Sequence, residues 1–352
     1  MSYKNVSDKT PVGVIGSGSF GTAIANLVAE NRPVLLYSRR PEKVKEINDT
    51  KMCAGQSMHN RIIATNDMER VCSESYLLFP SVPSSNFRSM LQDFSPYLRP
   101  DHILVHTTKG LDVIEEATIT EEGQRVFNPA NILTMSKVIL EETNVKRIGC
   151  LSGPNLSREL ALNQPAATVI ASRFDEVIRE ASAVIKGPRF QVYSSHDIVG
   201  VELAGILKNT LAIAAGALSG MGYGQNTLSF LLSRGIREII KIGTALGANK
   251  AAFLGLAGIG DIIATCTSPL SRNFTVGYRI AQGESLDYII STSSEVAEGL
   301  KTVNICYMLG QELNINLPII HVTYRVLFED WHLAEAITFL MNTTESQDVD
   351  YI

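Results

Sequence analysis

The chain has 352 residues, enough for about two domains of roughly 150 residues each. Hydrophobic residues make up 45% and charged residues 19%, a globular balance, and the net charge of −5 leaves no basic field for nucleic acid. Five scattered cysteines (Cys53, Cys72, Cys150, Cys266, Cys306), none in a C-x-x-C pair, argue against a disulfide framework or a zinc site and fit reduced thiols of a cytoplasmic protein, and the six histidines show no metal-ligand spacing, so no metal is expected. Residues 1–11 lack an apolar signal core. No apolar run reaches the ~20 residues of a membrane span, because Glu202, Lys208 and Asn209 interrupt residues 201–218, so stable membrane insertion is not expected.

In chain order, Val12-Gly13-Val14-Ile15 is a short apolar run that stops at glycines and reads as a buried parallel strand. Helical spacing follows over 19–30 through Phe20, Ala23, Ile24, Leu27 and Val28. A second strand is expected at 34–37, then a short helix over 41–47 with proline at its start. Further strands are expected at 61–64, 76–79, 103–106, 147–151, 167–171 and 190–193, most of them separated by helical stretches. That alternation predicts a parallel, doubly wound sheet. From about Asp197 the pattern changes to helices, at 199–218, 227–246, 261–265, 275–282, 299–313 and 319–328. The fold class is therefore α/β: an N-terminal Rossmann-like doubly wound sheet over 1–195, then an all-α C-terminal domain over 196–342. A polar, acidic tail occupies 343–352.

Gly16-Ser17-Gly18-Ser19-Phe20-Gly21 is a G-x-G-x-x-G loop between the first strand and the first helix. The first glycine allows a tight turn, the second lets the backbone approach a pyrophosphate, and the third lets helix and strand pack closely. The helix N-terminus then offers unpaired N–H groups to the phosphates. Where an acidic residue would read the ribose 2′-hydroxyl, the second strand ends in Ser38-Arg39-Arg40. Two guanidiniums there favour a 2′-phosphate, hence NADP(H) over NAD(H).

Lys208-Asn209 sits in the otherwise apolar stretch 201–218. A lysine there needs partners or a task, and burial can bring its proton affinity into a useful range. Ser271-Arg272-Asn273 offers a guanidinium fork and two neutral polar groups suited to an anion, while Ser271 also fits a helix N-cap. Asp261 fits a helix cap as well as a site carboxylate, and Glu298 fits a solvated first-turn position.

The motifs are similar, in order and over nearly the whole chain, to those of the bacterial-type, NAD(P)-dependent glycerol-3-phosphate dehydrogenase family. They are the Gly16–Gly21 loop, Thr108-Lys109-Gly110-Leu111, Ser152-Gly153-Pro154-Asn155, Leu207-Lys208-Asn209, Asn226-Thr227, Gly255-Leu256-Ala257-Gly258, Gly260-Asp261, the block from Thr265 to Asn273, and Glu298-Gly299. The resemblance implies reversible reduction of dihydroxyacetone phosphate to sn-glycerol 3-phosphate, the phospholipid backbone, by a homodimer. It implies cofactor contacts at Ser19, Phe20, Arg39, Lys109, Ser157, Arg272, Val296 and Glu298, beside Gly16, Gly18, Gly21 and Arg40 of the loop and strand end. Lys109, Gly153, Asn155, Asp261, Ser271, Arg272 and Asn273 would face the substrate, with Lys208 as proton acceptor or donor. The chain departs from the family in a shorter turn before Val34 and a longer segment over 112–140. A related hydroxyacid dehydrogenase is the alternative enzyme, and a catalytically silent dinucleotide sensor the alternative class. The Thr265–Asn273 block argues against the first and the two lysines against the second.

Overall fold

The computed structural model describes residues 10–114, 118–119, 125–126, 128–293 and 297–342; the expected polar tail and part of the long segment over 112–140 lie outside them. Contacts divide the chain into two compact units, Met1–Asp112 with Leu133–Ile198, and Val113–Ile132 with Val199–Ile352.

The first unit is built on an eight-stranded sheet: β1 (Val12–Ile15), β2 (Val34–Tyr37), β3 (Ile62–Thr65), β4 (Leu77–Pro80), β5 (Ile103–His106), β6 (Arg147–Ser152), β7 (Ala166–Ser172) and β8 (Phe190–Ser195). The strand order is β8-β7-β6-β5-β4-β1-β2-β3. Its helices are α1 (Ser19–Ala29), α2 (Pro41–Thr50), α3 (Met68–Glu74), α4 (Phe87–Phe94), α5 (Met135–Glu142), α6 (Ser157–Ala161) and α7 (Asp175–Ile185). Strands β1, β2, β4 and β5 are buried along their whole length, the pattern of strands covered on both faces, which is why they read as unbroken apolar runs. Helix α1 is buried on most of its sides, and Ala23, Ile24, Ala25 and Val28 pack into this core.

Strand order reverses at β1, which pairs with β2 on one side and β4 on the other. Such a switch point opens a crevice beyond the carboxyl ends of the strands, where ligands bind in doubly wound sheets. One pairing departs from the expected parallel sheet: β6 and β7 run antiparallel, with Gly149 opposite Ser172 and Ser152 opposite Val169. The chain between them carries one five-residue helix, α6. At ~1.5 Å per residue that helix spans about 7.5 Å, against ~23 Å for the seven-residue β7, so it makes no crossover and the chain reverses. Sequence alternation reports strands and helices, and carries no direct signal of direction.

The second unit is helical: α8 (Ile198–Gly220), α9 (Gln225–Ala245), α10 (Asp261–Cys266), α11 (Arg272–Ala281), α12 (Leu286–Thr292), α13 (Glu298–Glu312), α14 (Pro318–Phe328) and α15 (Leu333–Met341). Helices α12 and α15 were not expected from the sequence. An 18-residue window of the 23-residue α8 has a mean hydropathy of 1.6, which corrects the expectation that no apolar run reaches span length; 89% of that window is buried inside the protein, as in a core helix. Its packing against α11 is backbone to backbone. A Cβ at Gly216 would fall 1.9 Å from the Phe274 carbonyl oxygen, and one at Gly277 would fall 1.8 Å from that of Ile213. These two glycines therefore fix how closely the helix bearing Lys208 approaches the helix bearing Arg272 and Asn273.

Candidate active site

In the first unit, the glycine loop connects β1 to α1 at the switch point. Gly16 has φ +121°, a backbone region that favours glycine, and its Cβ would fall 2.6 Å from the Ser81 carbonyl oxygen just past β4. Gly21 meets the Gly16 carbonyl oxygen at 2.0 Å in the same test, so helix and loop require both glycines for packing alone. Gly18 differs. Its φ of −79° suits any residue, and an added Cβ meets nothing within 4 Å. Neither strain nor packing accounts for a glycine there, and the space above its backbone is open. Ser19 opens α1 with Phe20 half-buried behind it. Arg39 and Arg40 are exposed at the end of β2, Arg40 as the N-cap of α2 and 4.0 Å from Glu42.

A second cluster of this unit lies around β6. Lys109 Nζ donates to the Gly153 carbonyl at 3.2 Å. Asn155 Nδ2 donates to the Ala167 carbonyl at 2.9 Å, while its buried Oδ1 has no hydrogen-bond partner among the described residues. A Cβ at Gly153 would press on Thr168, Ala167 and that same Oδ1, at 3.0–3.3 Å. The Gly153 backbone thus stays close enough to β7 to line up with Asn155. Ser157 opens α6.

In the second unit, Lys208 projects from α8 with 7% of its side chain exposed, and Asp261 keeps 2%. Lys208 Nζ donates to Asp261 Oδ1 at 2.5 Å and to Thr265 Oγ1 at 2.6 Å. The Thr265 hydroxyl in turn donates to Asp261 Oδ1 at 3.2 Å. Asp261 and Thr265 stand four residues apart on α10, one above the other on a single face. A π-turn over Leu256–Gly260 leads into α10, with Gly258 folded so tightly on Phe253 that a Cβ would lie 2.0 Å from its carbonyl oxygen. The carboxylate compensates a buried ammonium that would otherwise be very costly. Asp261 is the first residue of its helix, and its carboxylate meets the lysine instead of capping. Cys266, one residue past Thr265, is pushed up to about 12, chiefly by burial, so it stays a neutral thiol and competes for no proton.

Two helix N-termini meet in the same unit. Ser271 caps α11, its Oγ accepting from Phe274 N at 3.3 Å. Asn273 is buried and its Oδ1 accepts from Gly299 N at 3.0 Å in the first turn of α13. A Cβ at Gly299 would fall 2.4 Å from that oxygen. Arg272, the exposed first residue of α11, and the half-buried Glu298, the first of α13, flank this junction. Two N-termini side by side concentrate partial positive charge suited to an anion.

The structure therefore gathers the sequence-read residues into four groups, two in each unit; Val296 lies outside the described residues. Sequence reading missed Thr265 as the second partner of Lys208, although its i+4 spacing from Asp261 was a usable signal. It also missed the side chains that brace the glycine loop from α2 and from the Met52–Cys53/Gln56–Ser57 hairpin, which have no motif. Among the described residues, no three His, Cys, Asp or Glu side chains group as a metal site would require.

A glycine loop at the switch point of a doubly wound sheet, with a buried lysine–aspartate pair in a helical unit, defines a dinucleotide-dependent oxidoreductase of the Rossmann class. Family profiles described as the N-terminus and the C-terminus of NAD-dependent glycerol-3-phosphate dehydrogenase match residues 11–178 and 197–338. The chain belongs to the NAD-dependent glycerol-3-phosphate dehydrogenase family. Curated relatives named glycerol-3-phosphate dehydrogenase (NAD(P)+) include one from Saccharophagus degradans, 38% identical over 99% of this chain and 95% of its own. Another, from Pseudomonas aeruginosa, is 38% identical over 99% of this chain and 98% of its own. The crystal structure of glycerol-3-phosphate dehydrogenase from Coxiella burnetii superimposes with a TM-score of 0.84 at 27% identity, covering 96% of this chain and all of that one.

Proposed function

We propose that this chain reduces dihydroxyacetone phosphate to sn-glycerol 3-phosphate with NAD(P)H, reversibly. The observation that carries the reading is the Lys208–Asp261–Thr265 cluster, a buried proton donor in a chain that also holds a dinucleotide loop. The open space over Gly18 and the N-terminus of α1, whose N-cap residue Gly18 supplies no side-chain cap, fit the pyrophosphate of a dinucleotide. When bound, the nicotinamide supplies the hydride in reduction and accepts it in oxidation.

The chain's own residues handle the proton and the position. Lys208 Nζ donates a proton to the carbonyl oxygen as it becomes an alkoxide, and takes it back in the reverse direction. Asp261 keeps the ammonium in place, and Thr265 orients it. Arg272, Asn273 and Ser271 hold the substrate phosphate at the joined N-termini of α11 and α13, so that binding energy from a group that does not react positions the one that does. Lys109 and the backbone of Gly153 face the substrate, and the unpartnered Oδ1 of Asn155 accepts from a substrate hydroxyl. Phe20, Ser157, Val296 and Glu298 contribute to the cofactor site, and Arg39 and Arg40 favour NADP(H). In this reading residues 1–195 bind the dinucleotide and 196–342 carry the proton donor and the phosphate anchor. The enzyme acts in the cytoplasm, which agrees with five buried cysteines outside any disulfide, and as a homodimer, which agrees with exposed apolar side chains such as Phe230, Phe339 and Met341.

The test is oxidation of NADPH and of NADH with dihydroxyacetone phosphate, with unphosphorylated dihydroxyacetone and a 2-keto acid as controls. Turnover that requires the phosphate supports the reading. Turnover of the keto acid alone would replace it with a hydroxyacid dehydrogenase.

A further inference from the structure

Lys43 lies half-buried in the first turn of α2, and its Nζ donates to the Ser17 carbonyl of the glycine loop at 2.6 Å. The same corner is tied down from two other directions. Ser17 Oγ donates to Ser38 Oγ at 3.0 Å, at the end of β2. From the hairpin, Gln56 Nε2 donates to the Ser19 carbonyl at 2.8 Å and Cys53 Sγ to that of Ser17 at 3.5 Å. In a doubly wound sheet the glycine loop and the end of the second strand flank the adenosine ribose, and the strand end reads its 2′ position. Here that end is Ser38-Arg39-Arg40, and its nearest ion-pairing carboxylate, Glu42, is 73% exposed at 4.0 Å from Arg40.

We infer that Lys43 is a specificity-determining residue for the dinucleotide, binding the 2′-phosphate of NADP(H) together with Ser38, Arg39 and Arg40. The inference rests on the NADP(H) preference proposed above. Arg39 and Arg40 are solvated and must be ordered by the ligand, whereas Lys43 is already held at the corner by the Ser17 carbonyl. An ammonium has three N–H donors, and the bond to Ser17 uses one. A doubly charged phosphate gains far more from such a group than the neutral 2′-hydroxyl of NAD(H) does, so the contact discriminates between the two cofactors.

Fluorescence titrations of NADPH and NADH, and calorimetric titrations of adenosine 2′,5′-bisphosphate and AMP, test this on the wild type, Lys43→Met, Lys43→Arg and an Arg39→Ala/Arg40→Ala double variant. Lys43→Met is expected to weaken NADPH and the bisphosphate by about tenfold, and NADH and AMP by less than about threefold, with Lys43→Arg recovering most of the loss. The KM for dihydroxyacetone phosphate at saturating NADPH should not move. Equal losses for both dinucleotides would show that Lys43 only braces the glycine loop, and would overturn the assignment. So would a Lys43→Met variant that keeps the preference while the double arginine variant loses it. A wild type that binds NADPH no tighter than NADH would instead remove the NADP(H) preference itself.

Discussion

Around Gly18 the first unit leaves open space; around Lys208 the second unit leaves almost none. The dinucleotide loop is shaped by missing side chains: Gly16 and Gly21 let the chain turn and pack, and Gly18 leaves room above the backbone. The lysine site is shaped by a charge placed where charge is expensive, with Asp261 and Thr265 as its compensation. A site of the first kind is unmade by adding atoms and a site of the second kind by removing them. Their failures should look different, one in affinity and the other in stability and turnover.

The largest effect is expected at the buried pair. Asp261→Ala leaves the Lys208 ammonium without its carboxylate and should cost about 3–5 kcal/mol of stability, read as a lowered Tm or denaturant midpoint. A loss below about 1 kcal/mol would mean that the pair is more solvated than its burial indicates. Replacing both charges, in Lys208→Met/Asp261→Asn, should recover most of that stability, because neutral side chains of similar volume avoid the far larger desolvation cost of a buried ion.

At the glycine loop the pattern should invert. Gly18→Ala should leave the Tm unchanged, since its Cβ meets nothing, and should weaken dinucleotide binding by about tenfold or more. Gly16→Ala should lower both, because it adds strain at φ +121° and a contact with Ser81. Equal binding by Gly18→Ala and wild type would show that the cofactor does not approach that backbone.

The smallest effect separates the units by pH. His102 is buried in the first unit, with Nδ1 accepting from Arg99 N at 2.8 Å and Nε2 paired with the Cys72 carbonyl at 2.9 Å. Burial holds its pKa below the usual histidine value. The folded chain therefore binds this proton less readily than the unfolded one. The stabilisation is present above the unfolded value of about 6.5 and is lost as pH falls through the folded one. As pH falls below about 7 the wild type should lose more stability than His102→Asn does. Parallel melting profiles for the two proteins would remove His102 from the account.

The first unit was more legible than the second, and the reason is physical. Strands buried on both faces write unbroken apolar runs, and a turn that only glycine can make writes glycines at fixed spacing, so β1, the loop and α1 could be read directly. The direction of β7 could not, because antiparallel pairing follows from a short connection whose path the local pattern does not encode. In the second unit, Lys208 stood out as a charge in an apolar helix, and Asp261 through its glycine-rich neighbourhood. That the two meet, with Thr265 between them, depends on how α8 and α10 pack, information spread over Gly258 and the surrounding core. Lys43 carried no signal, since a lysine in a helix's first turn reads as solvated until its 2.6 Å bond to Ser17 is seen.

The most direct test of the account is single-turnover oxidation of NADPH by dihydroxyacetone phosphate in the Lys208→Met/Asp261→Asn variant, alongside its melting curve and its NADPH affinity. The account predicts a folded protein that binds NADPH within about threefold of wild type yet transfers hydride about 100- to 10,000-fold more slowly, the range of a lost general acid. A folded variant that turns over at close to the wild-type rate would contradict it, leaving the lysine–aspartate pair a structural feature and placing the proton donor elsewhere.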